Sequence, residues 1–389
     1  MKKHLIAAAV AGAFAVPAMA QVTVFGIIDM GYASHKQENQ AGSITAKSSG
    51  VQPGNHAGSR IGFRGEEDLG GGLKASFHFE QGFAPNKANG FNVRASGAHP
   101  GGAAASGATG ITTVANGSVP AGYTAANNRQ SWIQLAGGFG SIRAGYLYTT
   151  AYNMASLTGL AASEMPGHRQ NATNLGGRSE AIQYTSPNIN GITVAVQMGQ
   201  GDTNSKSEAT TASAVTYRDN QTLNSVNVDY SAGPLRVGLD FTQREEQGLG
   251  APATGVAAPT NTAKRKADAT HLGVRYDLGV AQVALVYGDR TQKGTATTTT
   301  TTDTTTTALT VFVPLGAAVP FIQYGTTEAE TANVKNSDIT GTVVGARYNI
   351  SKRTLAYVMH GTAKDDAAAV LATTAHKETR TVVGLAHSF

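Results

Sequence analysis

Charged side chains recur at alternate positions in one short stretch of the chain. They are Arg60, Arg64, Lys74, His78 and Glu80. Because successive side chains of a strand point to opposite faces, this spacing places all five on one face of two adjacent strands. Fixed charges gathered on one surface attract ions of opposite sign and repel ions of like sign. The pattern therefore indicates a surface that sorts charged solutes.

Acid–base or nucleophilic catalysis is the other chemistry that such side chains could support. Ser76 and His78 share the same face, but nucleophilic catalysis also needs a third group that orients the base. The sequence contains no G-x-S-x-G and no H-E-x-x-H motif, and its ten histidines show no metal-ligand spacing. We therefore predict that the chain is not an enzyme and that it has no cofactor and no metal site.

The elements that would carry these charges form a β-hairpin. Ile61 and Phe63 alternate with the arginines, Phe77 and Phe79 alternate with the later charges, and a glycine-rich run at 65–72 joins the two halves. One apolar and one charged face fit either a soluble sandwich or a membrane barrel. An arginine on the lipid face at mid-bilayer costs about 2–4 kcal/mol, so in a barrel both arginines would line the inside.

Both ends of the chain favour the barrel. Residues 1–20 have the pattern of a signal peptide, with a positive start, a short apolar run and an Ala18-Met19-Ala20 cleavage site. Residues 21–389 would then form one transmembrane unit, whose last strand alternates up to the terminal Phe389. No later run approaches ~20 apolar residues, so no transmembrane helix is expected.

Composition narrows the class further. The 389-residue chain has 47 glycines, 12 prolines and no cysteine, so it cannot use disulfides for stability. Many short alternating runs separated by glycine-rich turns are typical of a single large all-β unit. The formal net charge of +5 is small and the basic residues are dispersed. We therefore expect no nucleic-acid partner.

Alternating runs predict sixteen antiparallel strands, with short and long connectors in turn. This arrangement is typical of an outer-membrane barrel, and sixteen strands would enclose an aqueous channel. The first strand is predicted at 22–32, where Asp29, its lone acid, marks the inward face. Residues 35–56 and 84–126 are predicted to be loops, and one strand, at 305–315, is predicted to begin inside a threonine tract.

Aromatic residues and one irregular segment complete the pattern. Trp132, Tyr146 and Tyr148 are candidates for an interfacial girdle or for contacts between subunits. Residues 149–177 contain no convincing alternating strand. A loop of this length inside a compact unit is usually functional or disordered.

Several stretches resemble the general porins of the Gram-negative outer membrane, in the branch typical of β-proteobacteria. They are VTVFGIID at 22–29, SRIGFRGEEDLGGGLKA at 59–75, QYTSP at 183–187, SKRT at 351–354 and the HSF end at 387–389. The resemblance covers essentially the whole mature chain. It implies a sixteen-stranded homotrimeric barrel in the cell outer membrane, in contact with lipid and lipopolysaccharide, whose third external loop folds into the pore.

The resemblance also implies which residues line the pore. The segment without strands would be the constriction loop, and Arg60 and Arg178 would belong to the basic wall that it faces. Arg64 and Lys74 are assigned to this wall only because alternation places them on the same polar face of the hairpin. The family carries an arginine where this chain has Tyr146, so one wall arginine is expected to be missing.

The balance of these charges predicts anion preference. The constriction loop offers a single acid, Glu164, against the basic wall, and Asp29 and Glu80 offset only part of the positive charge. The expected function is passive diffusion of small hydrophilic solutes and anions, ordered by the field between wall and loop. The alternative is an adhesin or phage receptor that acts through the long loops of the same barrel.

Overall fold

The computed structural model describes residues 22–86, 128–155, 157, 165–169, 172–175, 177–202, 220–248, 263–294, 301–367 and 376–389. The predicted signal peptide, Glu164 and nearly all of the predicted loop at 84–126 lie outside these residues. Within the described part of the chain, no helix is long and apolar enough to cross a membrane.

The described residues form one antiparallel sheet of seventeen strand segments and one short helix, α1 (Thr150–Ala155). The strands are β1 (Thr23–Glu38), β2 (Ile44–Pro53), β3 (Arg60–Gly70), β4 (Leu73–Gly82), β5 (Asn128–Gly137), β6 (Gly140–Tyr148), β7 (Arg178–Thr185), β8 (Ile192–Asp202), β9 (Asn220–Ala232), β10 (Leu235–Gly248), β11 (Ala263–Asp277), β12 (Gln282–Lys293), β13 (Thr301–Phe312), β14 (Ala318–Thr331), β15 (Val334–Asn349), β16 (Thr354–Asp365) and β17 (Lys377–Ser388). The turns between β3 and β4 and between β5 and β6 lie at the short-turn end. The connections from β4 to β5 and from β6 to β7 lie at the opposite, long-loop end.

The sheet closes on itself because the first and last strands pair. β1 pairs antiparallel with β17 from Ile27 to Glu38, and the backbones of Gly26 and Phe389 exchange two hydrogen bonds of 3.1 Å. β2 and β3 pair with the two halves of β1, so together they occupy one place in the barrel. The seventeen described segments thus form a sixteen-stranded closed barrel, which confirms the predicted fold.

The two faces of the barrel differ in polarity, as alternation predicts. Phe63, Phe79 and Ile133 are among the exposed apolar side chains on the outside. Inward positions carry polar side chains such as Gln197 and Gln323, both of which are fully buried. The hairpin of β3 and β4 therefore has its aromatic face outward and its charged face inward.

The predicted loop at 35–56 is wrong, because most of this stretch is strand. β1 continues to Glu38, β2 covers Ile44–Pro53, and the two strands pair with each other. The 16 residues of β1 span roughly 50 Å, whereas the apolar band of a membrane barrel is only ~25 Å tall. The upper half projects beyond that band, so it lacks the apolar alternation by which membrane strands are identified.

The threonine tract contributes more strand than the sequence predicts. β13 begins at Thr301, before the predicted start at residue 305. Thr291 Oγ1 donates to Asp303 at 2.7 Å, and the hydroxyls of Thr302 and Thr331 are 3.0 Å apart. Threonine is β-branched and therefore favours strands, and these cross-strand bonds satisfy hydroxyl groups that would otherwise be solvated.

The turn between β14 and β15 generates a test of stability. It has two residues, Ala332 and Asn333, with φ of 52° and 64°, as in the primed turns that match strand twist. An alanine at positive φ is strained, so we predict that Ala332→Gly raises the free energy of unfolding by about 0.5–1 kcal/mol. Urea titration of the barrel in lipid vesicles measures this change.

The matched control is Ala317→Gly in a short turn at the opposite end of the barrel. The φ angle of Ala317 does not lie in the left-handed region. Glycine at this position should therefore leave the free energy of unfolding unchanged or lower it slightly. Equal responses of the two variants would contradict the assignment of strain to Ala332.

Candidate functional site

Three guanidinium groups and one carboxylate meet on the inner wall towards the long-loop end. Glu80 is bound by Arg60 Nε at 3.2 Å and by Arg129 Nε at 2.5 Å. The hydroxyl oxygen of Tyr148 accepts hydrogen bonds from Arg129 at 2.8 Å and from Arg178 at 3.1 Å. We call these five residues the arginine cluster. Three positive charges against one nearly buried carboxylate leave this wall positive.

Five neighbouring strands bring the arginine cluster together. Arg60 is the first residue of β3, and Glu80 lies near the end of β4. Tyr148 and Arg178 are register partners, at the last position of β6 and the first position of β7. The guanidinium of Arg178 also lies 4.7 Å from the centre of the Tyr148 ring. The structure therefore brings together Arg60, Glu80 and Arg178, which the sequence singled out.

Arg129 was not predicted, and a β-bulge explains why. β4 and β5 pair as Glu80–Gln130 and next as Gln81–Asn128, so Arg129 lies between two paired positions. Simple alternation along β5 would put Arg129 on the apolar outer face, and the extra residue reverses this. No sequence pattern marks the bulge. A third arginine is thus present although position 146 holds tyrosine.

Arg64 and Lys74 lie closer to the short-turn end and outside the arginine cluster. Arg64 is exposed on the inner face, with its guanidinium 5.3 Å from the centre of the Phe25 ring. Lys74 is half exposed and pairs with Glu66 at 2.6 Å. The neighbouring carboxylate offsets the charge of Lys74, whereas Arg64 has no carboxylate partner among the described residues.

Asp29 faces inward, but its carboxylate is fully enclosed. Its Oδ2 accepts from the backbone N–H groups of His56 and Ala57, each at 2.7 Å, and its Oδ1 accepts from the Tyr357 hydroxyl at 2.5 Å. These bonds hold residues 54–59, which separate β2 from β3, against the inner wall. Asp29 therefore anchors the fold of the wall and presents no accessible charge.

Described parts of the segment 149–177 contact inner-face residues on the far side of the barrel. The segment starts with α1, whose N-cap is Thr149: its hydroxyl accepts the N–H of Tyr152 at 3.2 Å. Near the other end of the segment, Thr173 Oγ1 lies 3.0 Å from Nε2 of His271 on β11. The described residues of the segment therefore lie inside the barrel.

Six inward-facing glycines receive this segment, each on a different strand. At Gly341, for example, a Cβ atom would lie 2.5 Å from the carbonyl oxygen of Gly167. At all six positions a Cβ would come within 2.1–3.1 Å of a residue of the segment. The absence of side chains thus creates a groove that the segment fills. This glycine seat comprises Gly238, Gly273, Gly288, Gly325, Gly341 and Gly361.

Arg169 carries a positive charge into the interior on this segment. Its backbone N–H donates to Gln323 Oε1 on β14 at 3.3 Å. Burial lowers the pKa of the Arg169 guanidinium, an effect that Glu378 and Asp365 partly oppose, and an arginine nevertheless stays protonated at neutral pH. The only acid of the segment, Glu164, lies outside the described residues.

Trp132 and Tyr148 lie inside the barrel, so their predicted place in an interfacial girdle or a subunit contact is wrong. The Trp132 ring stacks on His78 with centroids 5.2 Å apart, and the Arg143 guanidinium lies 4.0 Å from its centre. Tyr148 belongs to the arginine cluster and stacks on Tyr152 at 4.6 Å. Both rings lie against charged partners that sequence patterning alone does not reveal.

A closed sixteen-stranded barrel, apolar outside and charged inside, defines the class of channel-forming membrane barrels. The chain belongs to the Gram-negative porin family, whose match covers residues 7–368. It is an outer-membrane porin channel and not an enzyme.

Individual proteins are similar to this chain in sequence or in fold. The chain is 27% identical to the major outer membrane protein P.IB of Neisseria gonorrhoeae over 93% of both chains. An anion-selective porin from Comamonas acidovorans has a similar structure, with a TM-score of 0.64, 23% identity and coverage of 95% of this chain and 100% of that one. The trimer form of OmpT from Vibrio cholerae matches with a TM-score of 0.62, 12% identity and coverage of 95% and 99%.

The Asp29 anchor generates a second stability test. Tyr357→Phe removes one donor from a buried carboxylate, so we predict a loss of about 1–3 kcal/mol in the free energy of unfolding. Urea titration in lipid vesicles measures it. Tyr348→Phe is the control, because Tyr348 is 55% exposed and should change stability little. If both variants unfold like the parent, the anchor contributes nothing.

The glycine seat generates a test of conductance. Gly341→Ala would push Gly167 off the wall and towards the interior, so we predict a lower single-channel conductance in planar bilayers. Gly138→Ala is the control, because a Cβ there meets no atom within 4 Å. Unchanged conductance of a folded Gly341→Ala barrel would mean that the segment does not depend on the seat.

Proposed function

We propose that this porin is an anion-preferring channel for the passive diffusion of small hydrophilic solutes. The observation that carries the proposal is the arginine cluster, in which Arg60, Arg129 and Arg178 share a single carboxylate. A positive wall in a confined, low-dielectric passage raises the local concentration of anions and repels cations.

The segment 149–177 is the proposed constriction. Its described residues contact the inner faces of strands opposite the arginine cluster, as the glycine seat and the Thr173–His271 contact indicate. Anions would then pass between the arginine cluster and this segment. Glu164 and Arg169 would add one charge of each sign to the segment, so the guanidinium groups of the cluster dominate the balance.

Other positive groups support the same preference. Arg64 and Arg143 lie on the inner face without a carboxylate partner among the described residues, and both are held by aromatic rings. Lys74, paired with Glu66, would contribute less. The solved structure named as an anion-selective porin shares the fold over nearly the whole chain, which is consistent with this proposal.

The assembly is proposed to be a homotrimer in outer-membrane lipid and lipopolysaccharide. A trimeric neighbour in the same fold supports the oligomeric state, and the exposed apolar side chains of the outer face suit lipid. We further propose that residues 1–20 direct export and are removed, and that residues 21–389 form the mature barrel.

Charge substitutions test the proposal in both directions. We predict that Arg60→Gln with Arg178→Gln lowers the chloride-to-potassium permeability ratio by at least about twofold, and that Glu80→Gln raises it. Reversal potentials under a KCl gradient across a planar bilayer measure the ratio. Because one change removes positive and the other negative charge, a general loss of structure would not produce opposite shifts.

The control is Arg353→Gln, in an exposed short turn between β15 and β16. It removes one positive charge by the same substitution but outside the passage, so the ratio should stay at the parent value. Cation preference in the parent protein, or no shift in the double variant, would contradict the proposed role of the cluster.

A further inference from the structure

Five inward side chains form a continuous stack between the arginine cluster and the short-turn end. The Arg64 guanidinium lies 5.3 Å from the Phe25 ring centre, and Phe25 lies 5.0 Å from His78. His78 is stacked on Trp132 at 5.2 Å and 7°, and the Arg143 guanidinium covers Trp132 at 4.0 Å. We call this set the stacked row. It presents aromatic surface with a guanidinium at each end.

Strand register accounts for the stacked row. Arg64, His78 and Trp132 are register partners on β3, β4 and β5, so alternation places them side by side on the inner face. Phe25, on β1, leans over Gly62, where a Cβ atom would lie 2.4 Å from its ring. A glycine at this position is therefore required for the aromatic ring to reach the row.

The guanidinium groups of the stacked row keep their charge available. Arg60 and Arg129 share the carboxylate of Glu80. Arg64 and Arg143, by contrast, are held by aromatic faces and pair with no carboxylate among the described residues. A cation–π contact fixes the position of a cation without cancelling its charge. Arg143 is fixed further by two hydrogen bonds to the neutral Gln134.

Two features of this surface point to flat anions. A guanidinium binds a carboxylate through its edge and stacks on an aromatic ring through its plane. Arg64 is exposed at the end of the row, so both its edge and its outer plane can meet a solute. In addition, the partly exposed ring of Phe25 lies 5.3 Å from that guanidinium and adds aromatic surface on which a flat anion can stack.

We propose that the stacked row is a binding step for aromatic carboxylates that pass through the channel. This proposal rests on the proposed anion-preferring function and adds a substrate class to it. Anions attracted by the arginine cluster meet the row next along the wall, since Arg64 follows Arg60 by four residues, or roughly 13 Å, on β3. A small aliphatic anion is held only by electrostatic attraction to the guanidinium groups, whereas an aromatic anion can also stack on the row.

Benzoate and cyclohexanecarboxylate are matched probes, because they have the same charge and ring size but only benzoate is aromatic. With purified parent protein in a planar bilayer, we expect benzoate to block the chloride current at about threefold to fivefold lower concentration than cyclohexanecarboxylate. Trp132 is the only tryptophan, so its fluorescence in detergent gives an independent titration, which should respond to benzoate over the same concentration range.

Arg64→Lys tests the planar group separately from its charge. Lysine keeps the positive charge but cannot stack as a plane, so the preference for benzoate over cyclohexanecarboxylate should fall towards one. Arg353→Lys, outside the passage, should keep the full preference. The fluorescence titration of Arg64→Lys should weaken in parallel, which a change in pore width alone would not cause.

The outcomes separate this proposal from the proposed function. If the parent conducts chloride in preference to potassium but both probes block it equally, the stacked row is not a binding step and the anion-preferring channel stands. If the parent shows no anion preference, the proposed function fails, and the Trp132 titration still decides between binding and no binding of benzoate. A benzoate preference that survives Arg64→Lys also overturns the assignment to the row.

Discussion

The hydrocarbon of a membrane offers no hydrogen-bond partner to the backbone, and the pairing of β1 with β17 satisfies this constraint for the whole sheet. An open sheet would leave a row of unpaired N–H and C=O groups at each edge. Closure at Gly26 and Phe389 removes both edges. Closure also fixes two environments, because every strand must then alternate between an apolar outside and an enclosed inside. At sixteen strands the wall side chains cannot fill that inside, so its contents have to be organised by other means.

Two ways of holding arginines inside the barrel have different electrostatic consequences. In the arginine cluster, Glu80 holds Arg60 and Arg129 together, and its negative charge offsets one of the positive charges. In the stacked row, aromatic faces hold Arg64 and Arg143, and no charge is lost. A carboxylate is needed where guanidinium groups crowd, since they repel one another at short range. Aromatic rings suffice where the cations stand at opposite ends of a stack.

Alternation together with the pattern at both ends of the chain predicted the barrel. Alternation also predicted the two faces of the β3–β4 hairpin and, within the barrel, the inward side of Arg60 and Glu80. It failed where a bulge interrupts the alternation, and where the hydrogen-bond partner of a side chain lies far away in the sequence. The bulge that turns Arg129 inward involves a single extra residue, and no residue type announces it. The partner that encloses Asp29 is Tyr357, 328 positions later. Alternation could therefore place Asp29 inside the barrel. It could not show whether its carboxylate is an accessible charge or an enclosed group that holds the wall together.

The loop predicted at 35–56 failed for a different reason. Membrane strands are identified by outward apolar residues, and β1 and β2 extend beyond the height at which apolar residues are needed. Backbone pairing continues there because the upper half of β1 has a neighbour on each side, β17 on one and β2 on the other. Sequence patterning thus detects the part of a strand that contacts lipid, whereas the full length of the strand depends on pairing with its neighbours in the sheet.

The circumference of the barrel is divided between two tasks. The sector from β1 to β7 carries the arginine cluster and the stacked row, while the glycine seat lies on β10 to β16. The seat positions can receive the segment at close range because a glycine projects no side chain of its own. The segment 149–177 leaves β6 within the charged sector and meets the seat on the other sector. The proposed passage is therefore bounded by the arginine cluster on one side and by the seated segment on the other. Since the six seat glycines lie on six different strands, the segment is held in place only when those strands are paired, which couples the proposed constriction to the backbone pairing of the sheet.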